Sequence, residues 1–139
     1  MTDIQKLTEM LRESNRIVFF GGAGVSTASG IPDFRSASGL YNQKYKRTLS
    51  PEEMVSHSFF VRDPEDFFDF YRDKLIYPNA QPNDCHKALA ALETAGKLTA
   101  VVTQNIDGLH QKAGSKNVFE LHGSVLRNYC TRCRKFFDE

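Results

Sequence analysis

The feature that most restricts the fold of this chain is a short apolar run that ends directly in glycines. Ile17-Val18-Phe19-Phe20 is followed by Gly21-Gly22-Ala23-Gly24. Such a run predicts a buried parallel strand, here over residues 16–20, that enters a tight turn. Glycines at this point would let a phosphate group approach the backbone. Thr27 stands where a third glycine would be expected, so the two glycines alone leave a purely structural turn open.

Helix signals recur along the rest of the chain. The first helix is predicted over residues 3–13, because a capping box precedes apolar residues at helical spacing. Three further N-terminal caps are indicated by side chains that can accept from the first turn, two of them followed by proline: Ser50, Asp63 and Asn83. On the last of these helices, the spacing predicts one apolar face, formed by Cys85, Ala88, Leu89, Leu92 and Ala95.

Two more apolar runs indicate strands. Residues 98–103 form the second predicted strand and residues 118–121 the third, with a short helix predicted over 107–113 between them. Strands that alternate with helices predict an α/β fold with a doubly wound, Rossmann-like parallel sheet. Ligands of such sheets bind beyond the carboxyl ends of the strands. Polar clusters follow the first two strands at this position, over residues 21–35 and 104–110.

Charge and hydropathy exclude several classes of partner. The formal net charge is +1, which argues against an extended surface for nucleic acid or anionic membranes. A bilayer span needs about 20 apolar residues, and the first apolar run has only the residues 17–20. The acidic N-terminus does not resemble a secretory signal, so we expect a cytoplasmic protein.

Four ordered motifs resemble those of the sirtuin family. They are Gly22-Ala23-Gly24-Val25-Ser26-Thr27-Ala28-Ser29-Gly30-Ile31-Pro32-Asp33-Phe34-Arg35, Thr103-Gln104-Asn105-Ile106-Asp107-Gly108-Leu109-His110, Glu120-Leu121-His122-Gly123-Ser124 and Cys130-Thr131-Arg132-Cys133. The resemblance implies an NAD-dependent protein-lysine deacetylase of bacterial type. Such enzymes consume NAD: nicotinamide leaves, and the acyl group of a modified lysine in a protein substrate is transferred to ADP-ribose.

The resemblance also implies a role for each motif residue. The phosphates would be held by the glycine loop, and the nicotinamide and its ribose by the residues that follow the first two strands. The implied cofactor-binding residues are Gly22, Ala23, Gly24, Ser26, Thr27, Phe34, Arg35, Gln104, Ile106 and Asp107. Within this set, Phe34 and Arg35 would shield the ribose from water, which would otherwise hydrolyse the intermediate.

Two residues are the implied catalytic groups. Asn105 would position the ribose, and His122 would act as the base that deprotonates a ribose hydroxyl. Imidazole suits this role because a neutral form is available at neutral pH. The other histidines are expected to have structural roles: His57 and His86 as surface or packing residues on helices, and His110 as a structural part of its motif.

Cys130 and Cys133 have the spacing of one half of a zinc ribbon, whose tetrahedral site needs four ligands. Cys85 is expected to be a small buried residue and not a third ligand. In sirtuins a second cysteine pair lies further along the chain. We therefore expect the metal site not to close within one copy of these 139 residues, and we expect an inactive N-terminal portion of the enzyme.

The predicted division has three parts. Residues 1–33 and 83–124 form the NAD-binding, Rossmann-like portion. Residues 34–82 form a cofactor loop and a helical insertion, in which residues 34–49 are expected to be functional or mobile. Residues 125–139 begin the zinc-binding module.

Substrate preference is predicted from one pair of residues. Sirtuins that prefer acidic acyl groups have a Tyr-x-x-Arg pair, whose arginine grips the carboxylate. Here Tyr71 is followed by Lys74, so we expect acetyl to be preferred over succinyl. Two other functions stay open: a non-catalytic module that binds a nucleotide or a partner, and ADP-ribosyl transfer from the same NAD site.

Overall fold

Three parallel strands form the centre of the fold in the computed structural model, which describes residues 1–43 and 49–138. The strands are β1 (Ile17–Gly21), β2 (Leu98–Thr103) and β3 (Val118–Glu120), in the spatial order β1-β2-β3. In the register, Val18 lies opposite Ala100, and Thr103 opposite both Gly21 and Glu120. The carboxyl ends of the strands are thus level with one another. The predicted α/β fold with a parallel, Rossmann-like sheet is confirmed.

Six α-helices surround or follow this sheet in the described residues: α1 (Asp3–Glu13), α2 (Pro51–Met54), α3 (His57–Arg62), α4 (Pro64–Lys74), α5 (Asp84–Thr94) and α6 (Leu109–Lys112). The four predicted caps are confirmed, because the side chains of Thr2, Ser50, Asp63 and Asn83 each accept from a backbone amide in the first turn. The predicted loop over 34–49 extends over residues 44–48, which lie outside the described residues.

Helix α6 is shorter than predicted because its first turn begins two residues late. Asp107 does not enter the helix; its Oδ1 accepts a hydrogen bond from the Leu109 amide at 2.9 Å. Gly108 follows with a φ of 70°, a left-handed conformation that glycine adopts without steric cost. The helix therefore starts at Leu109 and leaves the Asp107 carboxylate on the preceding turn.

The predicted apolar face of α5 is confirmed for Leu89 and Leu92, which pack beneath the sheet, and is wrong for its other members. The buried residues are His86, Leu89 and Ala90, whereas Cys85 is exposed. Ala88 is exposed as well. The pattern misses this because the helix buries a histidine against another polar side chain, and a hydropathy pattern cannot anticipate a polar partner.

The apolar interior has two separate clusters. One lies beneath the sheet and joins Leu89 of α5 to Leu98 and Val101 of β2. The other joins Met54, Phe59 and Phe70 of the helices between β1 and β2. The helical segment thus has its own packing contacts, and its description as a separate domain stays a prediction.

Two charged side chains connect distant segments through backbone atoms. Both Glu93 carboxylate oxygens accept from amides just before β3, those of Lys116 and Asn117, each at 2.8 Å. Lys97 Nζ donates to three carbonyl oxygens at the end of α1, those of Leu11, Arg12 and Ser14, at 2.9, 2.6 and 3.2 Å. The connection between α5 and β2 therefore orients both β3 and α1.

One face of the sheet is open to solvent. Val18, Phe20, Phe119 and Leu121 point to this side and are 55–62% exposed. Helix α1 adds a second open apolar surface, because Ile4, Leu7 and Met10 are 56–78% exposed. The opposite face of the sheet packs against α5.

A small antiparallel hairpin follows the sheet. Its strands are β4 (Asn128–Tyr129) and β5 (Phe136–Phe137), and the turn between them contains Cys130 and Cys133. The sequence patterns do not predict these short strands. Among the described helices, none has the length and apolar character that a bilayer span requires.

Candidate active site

The loops that follow β1 and β2 are joined where the two strands end. The Gln104 amide donates to the Gly21 carbonyl at 3.0 Å, which continues the strand pairing by one residue. The next amide, that of Asn105, donates to Thr103 Oγ1 at 3.0 Å and turns the chain away from the sheet. The two polar clusters predicted from the sequence therefore meet at one edge of the sheet.

Ser26 lies at the centre of a buried hydrogen-bonded chain. Its Oγ donates to Asp107 Oδ2 at 2.6 Å and accepts from Asn105 Nδ2 at 3.1 Å. Ser26 is 1% exposed and Asn105 is 8% exposed, so these bonds are shielded from water. They orient a carboxylate and an amide side by side, and the carboxylate oxygens have further lone pairs available for a ligand.

The glycine loop forms a 3₁₀ helix, Ala23–Ser29. A Cβ at Gly22 or at Gly24 would meet no protein atom within 4 Å. The surface above both glycines is therefore open, as close approach of a phosphate requires. Thr27 Oγ1 donates to the Gly24 carbonyl at 2.9 Å and closes the turn from within.

His122 lies on the turn that follows β3. Its Nδ1 is 3.1 Å from the Gln104 carbonyl oxygen. A carbonyl oxygen only accepts, so Nδ1 carries the hydrogen of the neutral ring and Nε2 carries the free lone pair. The second predicted loop thus fixes the tautomer that a general base needs.

The His122 turn is held from both sides. Arg127 Nη2 lies 2.5 Å from Glu120 Oε2, and the Glu120 side chain is almost fully buried. The Val125 amide donates to the Ile106 carbonyl at 2.9 Å. The ion pair therefore closes the turn that carries His122, and the Val125 bond anchors this turn to the loop that carries Asn105 and Asp107.

Phe34 and Arg35 lie on a separate compact turn. The Phe34 ring packs against Tyr41 with 5.4 Å between ring centroids, and Arg35 is exposed. The turn is closed by Asp33, whose Oδ1 accepts from the Ser36 amide at 2.9 Å. Hydrogen bonds from Ser36 lower the pKa of the Asp33 carboxyl below its ordinary value.

Two histidines form a buried pair beside the site. His86 and His110 are at most 1% exposed, and their ring centroids are 4.7 Å apart. Burial lowers the pKa of both imidazoles, and for His110 the neighbouring His86 lowers it further. Asp107 acts in the opposite direction on each, and Glu120 does so on His110. Both rings are thus held neutral at neutral pH.

A cavity of about 310 Å³ lies next to the Asp107 carboxylate. Its walls are mostly apolar and come from three segments: residues 75–80, residues 107–112, and Val125 with Leu126. Asp107, Gln111 and Lys112 supply polar side chains among the apolar ones, which suits a ligand that carries both hydrogen-bonding groups and an apolar surface.

The cysteine turn is compact. The Cys130 amide donates to the Lys135 carbonyl and the Arg134 amide donates to the Cys130 carbonyl, both at 2.9 Å. Hydrogen bonds from the Cys133 and Arg132 amides lower the pKa of the Cys130 thiol. A thiol so placed ionises more readily, as a metal ligand must.

Three contributions were missed by the sequence analysis. Asn83 was predicted only as a cap, but its Nδ2 also donates to the Val25 carbonyl at 2.7 Å and to Ser29 Oγ at 2.9 Å. The pairing of His86 with His110 and that of Glu120 with Arg127 were missed as well. Of these residues, only Glu120 and His110 could have been singled out from the sequence, since both lie within the quoted motifs.

The open glycine turn, the parallel strand ends and the buried polar chain define a nucleotide-binding α/β protein. Comparison with known families then gives a narrower assignment. The model of the Sir2 family matches residues 22–139. The chain therefore belongs to the Sir2 family.

Curated relatives agree with this assignment. The chain is 71% identical over 136 residues to an NAD-dependent protein deacetylase of Clostridium perfringens, covering 98% of this chain and 56% of that protein. A second protein of the same description, from Clostridium tetani, is 64% identical, and the match covers 96% of this chain and 54% of that protein. The chain thus spans about half the length of the curated relatives it matches.

Solved Sir2 structures share the fold. One Sir2 complex with a deacetylated peptide and 3'-O-acetyl ADP ribose superposes with a TM-score of 0.86 at 44% identity, covering 99% of this chain and 54% of that one. A Sir2 complex with ADP ribose gives a TM-score of 0.83 at 42% identity, with 100% and 53% covered.

Proposed function

We propose that these residues form the nicotinamide-side part of an NAD-dependent protein-lysine deacetylase. The observation that carries the proposal is the buried chain from Asn105 through Ser26 to Asp107, together with the His122 tautomer fixed by Gln104. The names of the curated relatives and the ADP-ribose complexes of related structures support it. Activity belongs to the protein of full family length.

Each group has a task that suits its chemistry. The open backbone at Gly22, Ala23 and Gly24, with Thr27 at its end, would bind the phosphates of NAD. Asp107 and Asn105 would bind the carboxamide and the ribose from positions that Ser26 fixes. Gln104 and Ile106 complete the wall, and Phe34 and Arg35 would exclude water. When bound, NAD would supply the ADP-ribose group, a hydroxyl of which accepts the acyl group of an acetylated lysine, with release of nicotinamide.

His122 would remove a proton from a ribose hydroxyl through Nε2. The bond from Nδ1 to the Gln104 carbonyl stabilises the positive ring that results, because this bond persists after the proton has been accepted. The same carbonyl lies one residue before Asn105, so the loop that carries the ribose-positioning group also orients the base.

The acyl preference follows from the helical segment. Lys74 Nζ lies 3.1 Å from Asp73 Oδ2, and this ion pair weakens its attraction for an acidic acyl group. Lys74 also lacks the planar two-pronged geometry of arginine. We propose acetyl as the preferred group; faster removal of succinyl than of acetyl from the same peptide would contradict this.

The test uses these 139 residues extended by the remaining segment of the Clostridium perfringens relative. We expect nicotinamide release in step with deacetylation of an acetylated peptide, and a loss of at least 100-fold in kcat for His122→Ala, the scale of general base catalysis. His57→Ala is the matched control, because His57 is exposed on α3. Equal turnover by both variants would remove His122 from the mechanism.

Two other outcomes correspond to the alternative functions. NAD binding without turnover in the extended chain would favour a non-catalytic nucleotide-binding module. Transfer of ADP-ribose to protein, seen as the corresponding mass increase, would favour ADP-ribosyl transfer. Mass spectrometry of the products separates all three cases in one experiment.

We also propose that Cys130 and Cys133 are zinc ligands, with a structural role. Their two thiolates are the ligand type that zinc prefers, and the compact turn holds both at one end of the hairpin. In the extended chain, cobalt in place of zinc should give the absorption bands of a tetrahedral thiolate site, and Cys133→Ser should abolish them.

A further inference from the structure

His122 lies on a turn in which two backbone bonds are long. The Gly123 amide is 3.5 Å from the Glu120 carbonyl oxygen, and the Arg127 amide is 3.4 Å from that of Ser124. Ordinary backbone bonds have a length of about 2.9–3.0 Å. The His122 side chain is exposed, so burial does not fix the ring. The position of the imidazole therefore depends on other contacts that hold the turn closed.

A side-chain ion pair closes this turn at its base. Arg127 Nη2 lies 2.5 Å from Glu120 Oε2, which joins the residues at the two ends of the turn. Charge-assisted bonds of this kind are stronger than bonds between neutral groups. The Glu120 side chain is 6% exposed, so salt and water screen this pair less than a fully exposed one. The ion pair is therefore a stronger link across the turn than the two long backbone bonds.

Glu120 is itself fixed by the sheet. It is the last residue of β3 and lies opposite Thr103, whose carbonyl accepts from the Leu121 amide at 2.9 Å. Burial lowers the pKa of the nearby His110 ring, and the Glu120 carboxylate only partly opposes this effect. Because that ring is held neutral, Arg127 supplies the positive charge beside the carboxylate. Loss of the guanidinium would leave a nearly buried carboxylate without this partner, which is costly.

We propose that Glu120 and Arg127 are positioning residues, whose ion pair keeps the turn closed so that His122 Nδ1 stays bonded to the Gln104 carbonyl. With that bond in place, Nε2 on the opposite side of the ring keeps its direction. An open turn would let the ring move, and a displacement of about 1 Å can lower a catalytic rate about 100-fold. The inference rests on the proposed function, because it takes His122 as the base.

The first experiment measures amide hydrogen exchange in the extended chain without NAD. Arg127→Met keeps the apolar stem and removes the guanidinium. Exchange in residues 121–127 should accelerate about tenfold or more, since a hydrogen bond between charged groups contributes at least that factor. Arg127→Lys retains a cation and should retain most of the protection. Arg72→Met is the matched control, because Arg72 forms an exposed ion pair with Asp69 on α4.

The second experiment compares two rates in the same proteins. In the proposed reaction nicotinamide leaves before His122 acts. Return of labelled nicotinamide into NAD thus reports the earlier step, and kcat for deacetylation reports the later one. In Arg127→Met, kcat should fall about tenfold or more, while the return of label changes less than about twofold. Arg127→Lys should recover most of kcat, and Arg72→Met should keep both rates.

A double variant separates closure of the turn from overall stability. Glu120→Gln combined with Arg127→Met leaves no unpaired buried charge, so its free energy of unfolding in urea should exceed that of Arg127→Met alone. The turn still lacks its ion pair, so fast exchange in residues 121–127 and a low kcat should persist. Full recovery of kcat in the double variant would show that Arg127→Met acts through stability, and would overturn the proposal.

Three results in Arg127→Met would also overturn it: unchanged exchange in residues 121–127, unchanged kcat, or an equal loss of both rates. Absence of deacetylation in the unsubstituted extended chain is a different outcome, because it contradicts the proposed function. The exchange experiment needs neither NAD nor turnover, so it still decides whether the ion pair closes the turn.

Discussion

Asn83 performs two tasks with the two ends of one amide. Its Oδ1 accepts from the Cys85 amide at 2.9 Å and caps α5. Its Nδ2 holds the end of the glycine loop through Val25 and Ser29. One side chain therefore couples the first turn of a helix to the proposed phosphate-binding loop.

Substitution can separate these two tasks. Asn83→Asp keeps the capping oxygen and loses the two donors, so amide exchange should accelerate in residues 25–30 but not in α5. Asn83→Ala should accelerate exchange both in residues 25–30 and in α5. It should also lower the free energy of unfolding by about 1 kcal/mol more than Asn83→Asp does, the usual contribution of a helix cap. Hydrogen exchange read by mass spectrometry tests this. Unchanged exchange in residues 25–30 for both variants would refute the coupling.

The histidine pair predicts a pH-dependent stability. The pKa of both His86 and His110 is lowered in the folded chain. At pH values between these lowered pKa values and the ordinary value of 6.5, the unfolded chain therefore binds more protons than the folded chain. The free energy of unfolding should be constant above that range and fall as the pH drops below about 6.5. The slope of the free energy of unfolding against pH can reach about 1.4 kcal/mol per pH unit for each histidine.

Urea unfolding at several pH values between neutral and mildly acidic conditions measures this slope. His110→Phe keeps an aromatic ring in contact with Phe19 and removes one titrating group, so the slope should decrease. His57→Gln removes an exposed histidine and should leave the slope unchanged. A steeper slope in His110→Phe would contradict the assignment.

At the scale of elements, α1 is a helix attached mainly through its end. No residue of α1 is buried, and Lys97 holds the last turn through three carbonyl oxygens. These carbonyls are the groups that a helix leaves unpaired at its C-terminus, where a cation is also favoured by the helix dipole.

Lys97→Met should therefore release α1 without unfolding the sheet. We expect amide protection in residues 3–13 to decrease at least tenfold, with that of β2 unchanged. The matched control is Lys87→Met, since Lys87 is exposed on α5 and pairs with Asp84 of the same helix. Full protection of residues 3–13 in the Lys97 variant would show that other contacts hold the helix.

Local signals predicted the elements well, because caps and apolar runs act within a few residues. All four caps form as predicted, and the three predicted strands differ from the observed ones by at most one residue at each end. The phase of α5 could not be predicted, because the burial of His86 depends on His110, a partner that is distant in sequence. The same reason applies to the second role of Asn83, which depends on where the glycine loop lies in space.

At the scale of the molecule, the open sheet face is the main departure from an ordinary parallel sheet, which is usually covered on both sides. Its exposed side chains come from β1 and from the region of β3, so they form one surface across the sheet. The covered face instead packs on α5. The sheet itself is therefore covered by an apolar layer on one side, beneath which α5 packs.

This surface should bind an apolar dye such as ANS. The double variant Phe20→Thr and Phe119→Thr places residues of high strand propensity in both strands and removes the two rings, so dye fluorescence should fall at least twofold. Val61→Thr is the control, because Val61 is 65% exposed but lies on α3. Equal fluorescence in all three proteins would place the dye elsewhere.

The position of β2 in the middle of the sheet has a consequence during synthesis. β1 leaves the ribosome first, yet its partner begins only at Leu98, after the whole helical segment 22–97 has been made. Until then, the edge of β1 and the rings of Phe19 and Phe20 are open to chaperones and to neighbouring nascent chains. In contrast, α5, β2 and β3 follow one another closely and can assemble as they emerge. The order of translation therefore makes the glycine loop at the end of β1 one of the last parts to acquire its native surroundings.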